Sequence, residues 1–128
     1  SGRASLGAHA VLSMPPSVRI YVASAPTDMR KGFDSLAALV TQVIREDIFA
    51  GHLFVFRNRR GTHVKILWWD RSGYAVFYKR LERGVFRFPE TSTGTVTMTA
   101  AELSLVLEGI DLDGAHRHPR YKRHRDEV

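Results

Sequence analysis

Between Leu53 and Phe88 the chain carries four short runs rich in aromatic and β-branched residues. They are Leu-Phe-Val-Phe (53–56), Val-Lys-Ile-Leu-Trp-Trp (64–69), Tyr-Ala-Val-Phe-Tyr (74–78) and Val-Phe-Arg-Phe (85–88). Asn58-Arg59-Arg60-Gly61, Asp70-Arg71-Ser72-Gly73 and Arg83-Gly84 separate them. Such residues suit a pleated, half-buried surface, and short glycine-containing links join antiparallel neighbours. The pattern predicts strands near 53–57, 64–69, 74–79 and 85–88, and it excludes an all-helical fold.

Helical spacing flanks this region. Phe33, Leu36, Leu39, Val40, Val43 and Ile44 recur every three or four residues, which predicts a helix over 33–46 with Thr27 or Asp28 as its cap. Thr99-Ala100-Ala101-Glu102 has the form of a capping box, in which hydroxyl and carboxylate each satisfy the other residue's amide. Leu103, Val106, Leu107 and Ile110 then share one face, and Gly109 stands where a left-handed residue closes a helix. A helix over 100–109 follows. Val18 to Val22 alternates like a strand, and Thr95 to Met98 supplies a last one. The expected class is α+β: a curved antiparallel β-meander packed with two helices, with flexible termini. A single domain is expected over 14–113. Residues 1–13, ahead of Met14, read as a leader or added segment without structure, and 114–128 as a flexible basic tail.

With no cysteine among its 128 residues, the chain has no disulfide, thiolate metal site or cysteine nucleophile. No apolar run approaches the roughly 20 residues that span a bilayer, and the opening segment lacks the layout of a secretory signal, so a cytoplasmic location and no membrane partner are expected. The net charge is +6, from 19 Lys and Arg against 13 Asp and Glu, which favours a polyanionic partner, nucleic acid first.

Nine cations lie between Arg57 and Arg87, opposed by Asp70 and Glu82 alone. Arg59 and Arg60 fall at an expected hairpin tip, free to reach phosphate, and Tyr74 or Tyr78 can stack on exposed bases. Arg57, Arg59, Arg60, Lys65 and Arg71 are the first candidates for phosphate contact, followed by Arg30, Lys31 and Lys79. The bland reading of the same pattern is a solvated polar sheet face. In Asp28-Met29-Arg30-Lys31-Gly32-Phe33-Asp34, Arg30 and Lys31 can hold a phosphate at a helix start. The structural alternative has Asp28 capping, Phe33 in the core and Asp34 balancing charge. Trp68 and Trp69 must point to opposite sheet faces, one into the core and the other either covered or turned to a partner. Asp28, Asp34, Asp70 and Glu82 could form a nuclease metal site, but no spacing demands it; no catalytic residue, metal or cofactor is assigned. His116, His118 and His124 read as part of the solvated tail rather than as metal ligands.

Three segments are distinctive as strings: TDMRKGFDSLAALV (27–40), GHLFVFRNRRGTHVKILWWDRSGYAVFYKRLERGVFRFP (51–89) and TMTAAELSLVLEGID (97–111). In order and spacing they resemble the second-open-reading-frame accessory proteins, called TnpB, of the insertion-sequence-66 transposon family. The RNA-guided nucleases that share that name are far longer and unrelated in motif. The resemblance implies a bacterial, non-catalytic accessory protein for DNA transposition. It acts beside a larger transposase that carries the acidic catalytic residues. Nucleic acid, DNA above all, and the transposase of the same element are the implied partners. The alternatives are a protein–protein adaptor that does not contact DNA, and a metal-dependent nuclease.

Overall fold

The computed structural model describes residues 17–89 and 95–109, in the order β1 (Ile20–Ala23), α1 (Phe33–Leu39), β2 (Leu53–Arg57), β3 (His63–Trp69), β4 (Tyr74–Arg80), β5 (Thr95–Met98) and α2 (Ala100–Leu107). The expected leader over 1–13, the tail over 114–128 and Ile110 lie outside the described residues. The five strands form one open sheet in the order β4-β3-β2-β1-β5. β2, β3 and β4 are the expected antiparallel meander, with Phe56 opposite Lys65 and Lys65 opposite Tyr78. β5 runs antiparallel to β1, Tyr21 facing Thr97. β1 and β2 are parallel, Tyr21 beside Phe54, so the sheet is mixed; α1 lies in the crossover a parallel pair requires.

Each sheet face meets one helix. Ile20, Val22, Leu53, Val55, Val64, Ile66 and Trp68 pack with Leu103, Val106 and Leu107 of α2. Tyr21, Phe54, Phe56 and Leu67 pack on the other side with Leu36, Val40 and Ile44. β2 is thus buried on both sides, Leu53 to Phe56 each being 0% exposed. α2 begins as expected: Thr99 accepts from the Glu102 amide at 3.1 Å while Glu102 accepts from the Thr99 amide at 2.9 Å. Gly109 takes the left-handed conformation after it, with φ of 85°.

Four expectations need correction. The first helix is α-helical only to Leu39; Val40–Ile44 is a wider π-turn, in which the Arg45 amide donates to the Val40 carbonyl, and Arg45 ends it in a left-handed conformation. The wider turn carries Val40 and Ile44 onto the sheet and leaves Val43 outside, 62% exposed. Phe33, expected in the core, is 51% exposed and stacks on Tyr74, because it opens the helix beyond the edge of the packed layer. The cap of α1 is Gly32, not Thr27 or Asp28: Thr27 is buried with its amide donating to the Arg57 carbonyl. Finally, the run 85–88 is not a strand. β4 is an edge strand, yet the chain after it does not pair along its outer side but folds back over the β2–β3 turn, where backbone hydrogen bonds and the burial of Phe86 hold it. There the Leu81 amide donates to Thr62 and the Phe86 amide to Gly61, and Phe86 enters the α2-side core.

These placements separate two phenylalanines that look alike in sequence. Phe54→Ala should cost about 3–5 kcal/mol, the range for emptying a packed aromatic site, whereas Phe33→Ala should cost less than about 1 kcal/mol. Urea denaturation of the two variants measures the difference.

Candidate nucleic-acid interface

The strand directions bring the C-terminal ends of β1, β2 and β4 and the N-terminal ends of β3 and β5 to one end of the sheet. Loops 24–32, 58–62 and 81–89 meet there. Arg30, Lys31, Arg57, Arg59, Arg60, Arg80, Arg83 and Arg87 all belong to these loops or the strand ends that feed them. Lys65 and Lys79, one or two residues into β3 and β4, extend the same zone. Arg71 does not. It sits in the β3–β4 turn at the opposite end, with φ of 59°, and a seven-residue strand at about 3.3 Å per residue puts it roughly 20 Å from the tip. Phosphate contact by Arg71 together with Arg59 and Arg60 would need a ligand running the length of the sheet.

The β2–β3 turn is held as a rigid tip by Asn58. Its side-chain oxygen accepts from the amides of Thr62 (2.9 Å) and His63 (3.0 Å), and its amide nitrogen donates to the Thr62 hydroxyl at 2.9 Å. Gly61 is left-handed and buried. Its φ of 76° is what calls for glycine, since a Cβ there would stand at an ordinary contact distance, 3.4 Å, from the Phe86 carbonyl. Arg59 and Arg60 project from this tip exposed, and neither makes a side-chain hydrogen bond or ion pair among the described residues.

The remaining candidates divide by what already holds them. Arg57 donates to the Ser24 carbonyl at 2.7 Å, and Lys65 to the Lys31 carbonyl at 2.8 Å with its ammonium 4.8 Å from the Tyr78 ring centre. Lys79 donates to the Leu107 carbonyl at 3.0 Å, closing the C-terminal turn of α2, where a cation is favoured. These three are half-buried structural groups, but their partners are neutral, so their positive charge is uncompensated. Arg30 is different. It grips Asp28 through Nε and Nη2, with Nη2 to Oδ2 at 2.8 Å, and its own amide donates to Asp28 Oδ1 at 2.9 Å. The motif around Asp28 is therefore a self-paired turn, in which the exposed Arg30 shares its charge with Asp28. Arg80 is likewise paired with Glu82, at 2.7 Å. Lys31, Arg59, Arg60, Arg83 and Arg87 remain without an acidic partner among the described residues.

Two clefts flank the tip, and Arg59 and Arg60 line both. One, of about 500 Å³, also takes in Met29, His63 and Tyr78; the other, of about 460 Å³, takes in Arg57, Phe86 and Arg87. Arg87 and His63 are not among the candidates from sequence. Arg87 belongs to the basic run, but its place beside the tip depends on the fold-back that replaces the expected fourth strand. Nothing in the sequence around His63 points to a cleft.

The acidic residues do not converge. Asp28 and Glu82 are spent on arginines, and Asp70 lies at the far end beside Arg71. Among the described residues no three His, Asp or Glu side chains are grouped as metal ligands would be, and no helix is long and apolar enough to cross a membrane. Trp68 is buried on the α2 side, whereas Trp69 turns to the α1 side, edge-on to Phe49 (4.9 Å) and Tyr74 (5.0 Å).

The family model described as "IS66 Orf2 like protein" matches residues 18–117. Two proteins of Sinorhizobium fredii are similar along most of the chain. "Uncharacterized protein y4hO" is 43% identical over 104 residues, 81% of this chain and 87% of the relative. "Uncharacterized protein y4jC" is 38% identical over 102 residues, 80% and 87% respectively. No solved structure matches.

The Asp28–Arg30 grip has a measurable consequence. Hydrogen bonds from the Arg30 side chain and amide hold the Asp28 carboxyl at about 2, below the ordinary 3.8. A depressed carboxylate stabilises the fold fully above the unfolded value and loses that contribution as pH falls through the folded one, here between about 4 and 2. NMR titration should find Asp28 still ionised at pH 3, and Arg30→Ala should return its midpoint towards 3.8.

Proposed function

Since the chain belongs to the IS66 Orf2-like family, accessory proteins of insertion sequences, we propose that it assists transposition without catalysing it, by holding DNA at the loop end of its sheet. The supporting observation is the set of cations around the β2–β3 tip. Arg59, Arg60, Arg87, Lys31 and Arg83 have no acidic partner among the described residues, and Arg57, Lys65 and Lys79 add uncompensated charge beneath them. Guanidinium forks on a rigid ridge suit phosphate oxygens, and contacts of that kind carry no base identity. The binding is therefore weak and little dependent on sequence when the protein acts alone, and the element's transposase supplies site selection. Arg59, Arg60 and Lys31 make phosphate contacts in this reading, joined by Arg87. Arg57, Lys65 and Lys79 set the potential. Arg30 is neutralised by Asp28, and Arg71 is left out.

A second reading, an adaptor between proteins, has one observation in its favour. Phe33, Phe49, Trp69 and Tyr74 form an aromatic cluster on the α1 side of the sheet, with Phe33 and Phe49 more than half exposed. The transposase of the same element is the partner such a surface would serve. The two readings are compatible in one molecule, because the cluster lies beside β3 and β4 near the Asp70–Gly73 turn, away from the tip.

Binding to labelled duplex DNA across a salt series tests the main reading. Log affinity should fall linearly with log salt, and replacing Arg59 and Arg60 together by alanine should lower that slope by about 0.9 for each phosphate the pair neutralises. Arg71→Ala should leave slope and affinity unchanged. A slope indifferent to the Arg59 and Arg60 pair but reduced by Arg71→Ala would put the binding surface at the wrong end.

A further inference from the structure

The cleft on the Tyr78 side of the tip is built for more than phosphate. Tyr78 is 52% exposed although it stands in a strand with its neighbours packed. Its ring is fixed from two directions, by the Lys65 ammonium at 4.8 Å and by the His63 ring at 5.9 Å. Lys65 is itself tied to the Lys31 carbonyl, and the His63 Nδ1 lies 2.8 Å from the Thr62 hydroxyl and 3.1 Å from the Asn58 amide nitrogen. An aromatic ring held in place and open on a concave wall is a stacking platform. The Met29 side chain lines the same cleft and adds an apolar, polarisable surface. Asp28, also on the wall, is neutralised by Arg30 and does not repel an anion there.

We propose that this cleft takes an unpaired nucleobase, stacked on Tyr78, while the phosphates flanking it run over Arg59 and Arg60. The inference rests on the nucleic-acid reading above and narrows it to single-stranded substrate. Three features favour that class. A duplex hides the faces of its bases, and only an unstacked base offers one to a tyrosine. The two arginines line both clefts, so a strand seated on Tyr78 crosses the ridge and continues towards Arg57 and Arg87 on the other side. The cleft on the Tyr78 side, of about 500 Å³, falls in the size range of small-ligand sites and has room for one base. Because every base has a π face, the platform is tolerant of sequence.

The test uses the full chain with a short single strand carrying one 2-aminopurine, and a fluorescein-labelled blunt duplex of the same sequence. The wild-type protein should quench 2-aminopurine on binding and should prefer the single strand. Tyr78→Ala should abolish the quench and weaken single-strand binding by between about 5- and 150-fold, the range for one base–aromatic stack. Duplex binding should stay within about twofold. Tyr78→Phe, which keeps the ring, should behave as wild type, and circular dichroism of both variants checks the fold. If Tyr78→Ala binds the single strand as wild type does while the Arg59 and Arg60 pair is needed for both forms, the phosphate surface stands and the base site is refuted. Equal loss of both forms in Tyr78→Ala and Tyr78→Phe would reduce Tyr78 to a structural role and overturn the proposal. Absence of binding to either form at low salt would remove the nucleic-acid reading and this inference together.

Discussion

The burial of β2 on both faces governs the rest of the structure. Leu53, Phe54, Val55 and Phe56 are fully enclosed, two towards each side, so a helix must cover each face. The α1 crossover supplies one cover and α2 the other. Once both faces are closed, charge has no place on the sheet surface and is driven to its ends. Lys65 and Lys79 illustrate the constraint: each starts from a sheet face and runs out to a backbone carbonyl at the periphery, with the stem covering apolar surface. The concentration of cations at one end follows from which loops happen to be basic: those at the C-terminal ends of β1, β2 and β4 are, while the turn at 70–73 carries one arginine and one aspartate.

The same constraint explains how much of the fold is legible in the sequence. The continuous apolar run 53–56 reads as a strand, but its lack of alternation is the mark of a strand buried on both sides, which goes with a parallel neighbour and a crossover helix. The capping box at Thr99, the left-handed Gly109, the hairpin tip at Arg59 and Arg60 and the opposite faces of Trp68 and Trp69 are local matters of backbone chemistry and alternation, and each is legible. The run at 85–88 has strand composition, yet Phe86 is buried in the α2-side core beneath the β2–β3 turn instead of extending the sheet at β4, a choice that only tertiary packing decides. Val43 fits a 3.6-residue stripe that the π-turn at Val40–Ile44 breaks, and nothing in those five residues announces the wider winding; Phe33 fits the stripe but opens the helix and stays half exposed.

For the candidate site the sequence supplies the cations but not their commitments. Of the eight named, Arg59 and Arg60 stand exposed at the tip, and Lys31, in the loop before α1, has no acidic partner among the described residues. Arg57, Lys65 and Lys79 spend their donors on carbonyls, and Arg30 spends its charge on Asp28 two residues before it, a pairing that a helix-start reading of the same motif passes over. Arg71 is removed from the group by the length of β3 alone. Arg87 and His63 join only through the third dimension: the 81–89 fold-back carries one to the tip, and cross-strand neighbours bring the other against Tyr78. Family membership says what kind of genetic element such a protein serves, and the geometry says where on the molecule to look.

In the proposed function, nucleic acid occupies the tip end of the sheet and leaves the other end alone. Backbone amide NMR of the full chain, titrated with single-stranded and duplex DNA from the ends of such an element, measures this directly. Shifts concentrated in 24–31, 57–63 and 78–89, with the 45–52 and 70–73 segments unmoved, are the predicted result. Shifts centred on Phe49, Trp69 and the 70–73 turn, with Arg59, Arg60 and Tyr78 unchanged at saturation, would contradict the account.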